Sequence, residues 1–299
     1  GSYAFNGYIS DLRGTKGTVL YTSNFFPGTA PSTTAGGTVP GTYTAYNSTL
    51  LLSGATGGVV DATRTVDLET LGDAKITPFG PYNGNYYSVF INGGTDSITA
   101  ASNAAFGFGT GNFTIECWVY PTANPANGVG TISDFRTGIT ATATAIRINA
   151  SYQIMFYDGP ANVETTFTQA IVSLGAWYHI AYVRNGNTVS GYVNGVLAGS
   201  VAVSSNLGTT QPVYIGGNQT AGYNFNGYIS NYRIVKGQAL YTTTFTPSTT
   251  LLTTTSQGAT ASNVSLLTCQ TLYFIDTSTN SFAITQNGSP KIAGVAPFT

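Results

Sequence analysis

Twenty-three residues near the start of this chain return without a gap far downstream. FNGYISDLRGTKGTVLYTSNFFP (5–27) aligns on FNGYISNYRIVKGQALYTTTFTP (225–247), Phe5 onto Phe225, an offset of 220 residues with 14 of 23 positions identical. A second, looser match follows each copy. Residues 50–82 resemble 266–298, with Leu51, Asp61, Gly72, Lys75 and Ile76 corresponding to Leu267, Asp276, Gly288, Lys291 and Ile292. A period this long in 299 residues leaves room for one complete unit, flanked by the end of one copy and the start of another. The expected divisions are the last strands of a preceding repeat (1–27), a linker (28–48), a complete unit (49–250), a second linker (251–264) and the first strands of a following repeat (265–299). Both linkers are assigned from their small, polar, uncharged composition.

Within the unit the patterning is uniformly β. FTIECWVY (113–120), WYHIAYVR (177–184), TVSGYVNGVLAGSVAV (188–203) and PVYIGG (212–217) are short, aromatic and β-branched, and alternate with period two. Asn194-Gly195 sits between two such runs and predicts a two-residue hairpin, because both central positions of a type I′ turn need positive φ. Asn185-Gly186 predicts another turn. No window carries a 3.6-residue apolar stripe, so the expected class is an all-β sandwich or barrel. Phe113, Ile115 and Trp118 are expected to face Trp177, Ile180 and Tyr182 across an inter-sheet layer.

Composition narrows the function classes. Charged residues are 7% of the chain, and ten basic against eleven acidic residues give a net charge of −1. No Lys/Arg cluster could neutralise a run of phosphates, so a nucleic-acid partner has no electrostatic footprint. Every apolar run is broken by Thr, Ser, Asn or Gly before it could span a bilayer as a helix, which argues against membrane insertion. Of the two cysteines, Cys117 reads as a core thiol inside FTIECWVY. Cys269 falls in another repeat copy, so a disulfide between them is not expected.

Three segments taken together resemble a known family. They are FGFGTGNFTIECWVYPT (106–122), AWYHIAYVRNGNTVSGYVNGVLAGS (176–200) and VYIGGNQTAGYNFNGYISNYRIVKGQALYTTTFTP (213–247). The ordered series F-T-I-E-x-W, W-x-H-I-A, Y-V-N-G and F-x-G-x-I-S-x-x-R resembles the laminin G-like modules of the concanavalin A-like lectin/glucanase superfamily, in the tandem form found in bacteriophage tail-fibre and virion proteins. The resemblance implies a two-sheet antiparallel jelly-roll sandwich. It also implies a structural and adhesive module of an extracellular fibre or virion appendage that binds host-surface glycans, located on a virion or extracellular surface. Its partners would be neighbouring repeats or copies of itself, and cell-surface polysaccharide. The alternative is a bacterial surface adhesin or polymerising filament subunit without lectin activity; glycoside hydrolysis ranks last.

The superfamily contains hydrolases, whose catalytic strand typically reads Glu-x-Asp-x-x-Glu, and retaining enzymes hold two carboxylates about 5–5.5 Å apart. Here the acidic pair at such spacing is Asp67 and Glu69 in VDLET. The third acid is missing, and the equivalent TNSFA (279–283) has none, so no catalytic residue is assigned and the chain is not expected to be an enzyme. Glu116 reads as a structural acid, either paired with an arginine or turned outward. His179, the single histidine, has no nucleophile arrangement around it. The glycine-rich GGNQTAG (216–222) and FGFGTGN (106–112) read as turns. For a ligand, the loop-adjacent aromatics Tyr82, Tyr86, Tyr87, Tyr152 and Tyr157 are the candidates, because sugar recognition uses aromatic faces. No cofactor is expected. Some family members hold calcium on rim loops, and the resemblance puts Asp96 at such a place, with Asn92 and Asp134 as further oxygen donors. Calcium wants about six to eight oxygens, and three fall short.

Overall fold

The computed structural model describes residues 12–16, 19, 48–53, 60–61, 86–138, 143–218, 223–294 and 296–297. The chain forms two compact units, Gly1–Asn85 and Tyr86–Thr299. In the first, β1 (Arg13–Thr15) pairs antiparallel with β2 (Ser48–Ser53), which pairs with β3 (Val60–Asp61).

The second unit is a sandwich. In chain order its strands are β4 (Ser88–Asn92), β5 (Ser97–Asn103), β6 (Phe113–Pro121), β7 (Val129–Asp134), β8 (Thr144–Asn149), β9 (Gln153–Asp158) and β10 (Val163–Ile171). There follow β11 (Tyr178–Asn185), β12 (Thr188–Val193), β13 (Val196–Ala202), β14 (Gln211–Ile215) and the long β15 (Asn226–Lys236). The chain ends with β16 (Val264–Thr268), β17 (Ile284–Asn287) and β18 (Lys291–Ala293). A seven-stranded sheet runs β10-β9-β8-β7-β14-β5-β17. An eight-stranded sheet runs β13-β12-β11-β6-β15-β4-β18, with β16 on β15. Every ladder is antiparallel. Helix among the described residues is confined to three short 3-10 turns.

The alternation in the sequence decides which side chains meet. Phe113, Ile115, Cys117 and Val119 of β6 point inward with Ile180 and Tyr182 of β11, and face Ile146, Ile148, Ile154, Phe156 and Phe167 of the other sheet in one core. Trp118 does not belong to this layer: an even position in a strand whose odd positions are buried must lie on the opposite face. Its ring packs against His179 instead, with centroids 5.4 Å apart. Cys117 is the expected core thiol. Cys269 lies in the same core rather than in a separate copy, and both thiols are free. Burial pushes the Cys269 thiol up to about 12 and raises Cys117 as well, so neither is a ready nucleophile.

The structure moves the repeat boundary. Residues 265–299 read as the opening of another unit, yet β16, β17 and β18 pair with β15, β5 and β4 of the sandwich itself. The unit is therefore phased Tyr86–Thr299 rather than 49–250. Two copies of one strand pattern are equivalent to the sheets; which copy closes them is a matter of tertiary pairing. The repeat is visible in backbone geometry too. Arg13, Gly14 and Thr15 oppose Leu51, Leu50 and Ser48, with a register shift between Gly14 and Thr15. Arg233, Ile234 and Val235 oppose Leu267, Leu266 and Val264, with the same shift between Ile234 and Val235. Offsets of 220 and 216 residues thus carry one bulged ladder onto the other.

The segment 251–264, expected to be a linker, continues a strap that begins at Gly237 and covers the outer face of the eight-stranded sheet. Leu252 and Ala259 are buried there with Val235, Val264 and Leu267. Tyr241 packs on Ala181, Val183 and Tyr192, and stacks on Phe245 at a centroid distance of 3.6 Å. A small, polar composition conceals such packing because many of the holding contacts use backbone groups. Asn194-Gly195 forms the expected turn, with φ of 49° and 78°. It also touches the strap: Phe245 N donates to Gly195 O at 3.1 Å. A Cβ on Gly195 would fall 1.8 Å from Phe245 O. Gly195→Ala should therefore lower the unfolding free energy by about 1–3 kcal/mol from the left-handed backbone alone and further from the collision, read as a lower urea midpoint. A midpoint equal to wild type would show that the strap yields freely.

Candidate functional site

On the outer face of the seven-stranded sheet lies an open groove of about 800 Å³. It is built from β7 to β10. In β8 the buried Ile146 and Ile148 leave Arg147 pointing outward, and in β9 the buried Ile154 and Phe156 do the same for Tyr157. Buried Ala145 stands directly opposite Tyr157, leaving room for the ring. Tyr182, from the other sheet, donates its hydroxyl to the carbonyls of Met155 (3.0 Å) and Arg147 (3.3 Å), pinning the groove strands from below.

The β9–β10 connection supplies the next element. Asn162 N donates to Gly159 O at 3.0 Å, and Asn162 takes a φ of 55°, which Asn tolerates better than most residues. This turn brings Asn162 Oδ1 to accept from Tyr157 Oη at 2.8 Å. Glu164, on β10 opposite Tyr157, accepts from Arg147 Nη1 at 2.9 Å. Past the end of β7, Arg136 is gripped by Asp134: its Nε donates to Oδ1 at 2.8 Å, its Nη2 to Oδ2 at 2.7 Å and its backbone N–H to Oδ1 at 2.9 Å. The guanidinium carbons of Arg136 and Arg147 each lie 5.0 Å from the Tyr157 ring centre, within cation–π range. Arg136 stays fully charged: burial works against its cationic form, but the bonds and charge of Asp134 outweigh that and raise its pKa. Tyr223, 42% exposed, stands at the groove wall.

Of the ligand and metal candidates among the described residues, Tyr157 is the one that lines the groove. Tyr152 sits at the β8–β9 turn with a φ of 59° and packs against the core. Tyr87 is buried at the head of β4, where its carbonyl accepts from Ser230 Oγ at 2.7 Å, with Tyr86 beside it. Tyr82, Asp67 and Glu69 lie outside the described residues. Asp96 is buried, and its Oδ1 accepts from Ser289 N at 2.7 Å. Asn92 is exposed and its Oδ1 accepts from Gly94 N at 2.8 Å. Both Asp134 oxygens are taken by Arg136. Among the described residues, no three His, Cys, Asp or Glu side chains gather as a metal-ligating group.

Arg136, Arg147, Asn162, Glu164 and Tyr223 escaped the sequence reading. For Arg147 the signal was present, as an outward position between two isoleucines in TAIRIN. For Asn162 it was the turn sequence Asp158-Gly159-Pro160-Ala161-Asn162.

A model of the concanavalin A-like lectin/glucanases superfamily matches residues 92–242. No curated protein sequence matches the chain. Among solved structures, the chain is similar to the native heptameric SAP-like pentraxin from Limulus polyphemus, at 14% identity and a TM-score of 0.46, over 70% of this chain and 95% of that one. It is similar to domains LG4-5 of the mouse laminin α1 chain at 15% identity and a TM-score of 0.39, over 54% and 44%. Domain 4 of the extracellular arabinanase AbnA from Geobacillus stearothermophilus, in complex with arabinotriose, is similar at 20% identity and a TM-score of 0.39, over 51% and 71%.

Proposed function

The chain belongs to the concanavalin A-like lectin/glucanases superfamily, and from that premise we propose that it is a non-catalytic carbohydrate-binding module whose binding surface is the Tyr157 groove. The groove itself carries this reading. It is open, crosses several strands, and combines aromatic surface at Tyr157 and Tyr223 with convergent amide, hydroxyl and guanidinium groups, the mixture a small polar ligand needs. Glu164 in the groove is the partner of Arg147, and Asp134 behind it is the partner of Arg136, an arrangement suited to holding a ligand rather than transferring protons.

A glycan array probed with the folded protein tests the proposal. Tyr157→Ala should weaken retention of whatever sugar is bound by about 2 kcal/mol, the scale of an aromatic anchor. Binding that survives the substitution unchanged would move the site elsewhere, and a blank array would remove the lectin reading.

For the wider role we propose a repeated module of an extracellular fibre or virion appendage. The supporting observation is the bulged ladder that recurs at the sequence repeat. The near-absence of charge suits a particle-bound protein whose surface works by hydrogen bonding. The mass of the protein isolated from its source, compared with that of the 299-residue chain, checks the array.

A further inference from the structure

The groove's polar inventory bears on the class of sugar, and the inference rests on its being a carbohydrate site. Charge is scarce in this chain, with 21 charged residues in 299. Arg184 and Arg233 of the sandwich are fully buried in structural roles. Arg136 and Arg147, in contrast, converge on one ring in an open groove. Arg136 has two side-chain donors on Asp134. Arg147 is differently placed. A guanidinium carries five N–H groups; the Arg147 side chain makes one bond among the described residues, from Nη1 to Glu164 Oε1, and its Nε is buried, so the donors left for a ligand are those of the two Nη groups. The side chain is 13% exposed, and Glu164, its single acidic partner, is 29% exposed. The pair keeps contact with water at the mouth of the open groove, which screens its attraction.

We propose that the groove binds an acidic sugar, a uronate or a sialate, whose carboxylate docks on Arg147, and that Glu164 is the internal competitor for that guanidinium. A carboxylate only accepts hydrogen bonds, and its two oxygens match the paired donors of a guanidinium edge. The surrounding groups suit the remainder of such a sugar. Asn162 and the Tyr157 hydroxyl face its hydroxyls, and Tyr223 offers a ring for its apolar edge. The competitor role makes a prediction that a merely structural ion pair does not: removing the Glu164 charge should improve binding.

The test titrates the protein by calorimetry with polygalacturonate, with α2,8-linked polysialate, with the methyl ester of each, and with a neutral galactan. The expected result is binding to an acid polymer that falls about ten- to a hundredfold on esterification, the scale of a charged hydrogen bond. Arg147→Gln should lose the same factor, and Glu164→Gln should bind several-fold more tightly, with near-ultraviolet circular dichroism confirming that both variants fold. Equal binding of galactan and the acid polymers, with no gain in Glu164→Gln, would overturn the acidic class while leaving the groove a carbohydrate site. Binding to none of the five by folded wild-type protein would overturn the acidic class, and a blank glycan array beside it would remove the carbohydrate reading as well.

Discussion

Glu116→Ala is expected to destabilise the sandwich by about 3–5 kcal/mol, the cost of leaving one member of a buried ion pair without its partner. Glu116 lies in the middle of β6, on the face away from the core, under the strap. Its Oε1 accepts from Arg233 Nε at 2.8 Å and also from Nη2. Its Oε2 accepts from Tyr241 Oη at 2.8 Å and lies 3.1 Å from His179 Nε2, which donates because a carboxylate cannot. Arg233 reaches on to the strap, donating from Nη1 to Thr253 O at 2.8 Å and Ser256 O at 2.9 Å. One carboxylate therefore joins β6, β11, β15 and the strap, and none of its partners has water to fall back on. For a unit of this size the melting temperature should drop by roughly 10 °C or more. A fall of less than about 2 °C would show that Arg233, His179 and Tyr241 re-pair without it.

The pH dependence of the same group has a definite sign. Burial alone would raise the Glu116 pKa, but the His179 hydrogen bond and the Arg233 charge outweigh burial and lower it below the ordinary 4.5. A carboxyl whose pKa is depressed by folding adds stability above its unfolded value, and that stability is lost as pH falls through the folded value. Wild type should therefore lose stability more steeply than Glu116→Gln below about pH 4.5. Melting curves for the two proteins should converge in acid. Parallel curves would assign the acid sensitivity to other carboxyls.

The second large effect is expected at Phe167, in the edge strand of the groove sheet. Its ring enters a notch where the facing sheet carries glycine: a Cβ on Gly191 would come within 2.4 Å of it, and one on Gly199 within 2.8 Å. The ring is 2% exposed and also packs near Tyr182, with centroids 6.2 Å apart. Phe167→Ala should cost about 3–5 kcal/mol, because glycines have no side chains with which to fill the void. It should also weaken ligand binding, since the β9–β10 hairpin that carries Tyr157, Asn162 and Glu164 is held to the facing sheet by this ring. Hydrogen exchange across 153–171 reads the loosening directly. Protection there equal to wild type would separate the groove from the core packing beneath it.

Much of this architecture was legible in the residues. Period-two alternation located the strands, since in FTIECWVY the pleat allows one set of positions in the core and the other outside. The Asn194-Gly195 turn followed from φ alone. Membership of the superfamily was readable because its motifs are a series of such local patterns in fixed order. The error at Trp118 came from grouping by residue type across an odd spacing, three residues from Ile115, which the pleat places on opposite faces.

What alternation cannot say is what will cover the outward face. Glu116, Arg233 and Tyr241 share one site although more than a hundred residues separate the first from the other two. Arg147, Tyr157 and Tyr223 share a groove for the same reason: sheet order brings distant strands together. Local sterics and hydrophobic pattern thus determined the strands, the turns and the faces. The choice of repeat copy that closes the sandwich, the strap over Glu116 and the groove around Tyr157 were decided by tertiary pairing, because each depends on contacts between segments whose separation along the chain leaves no periodic trace.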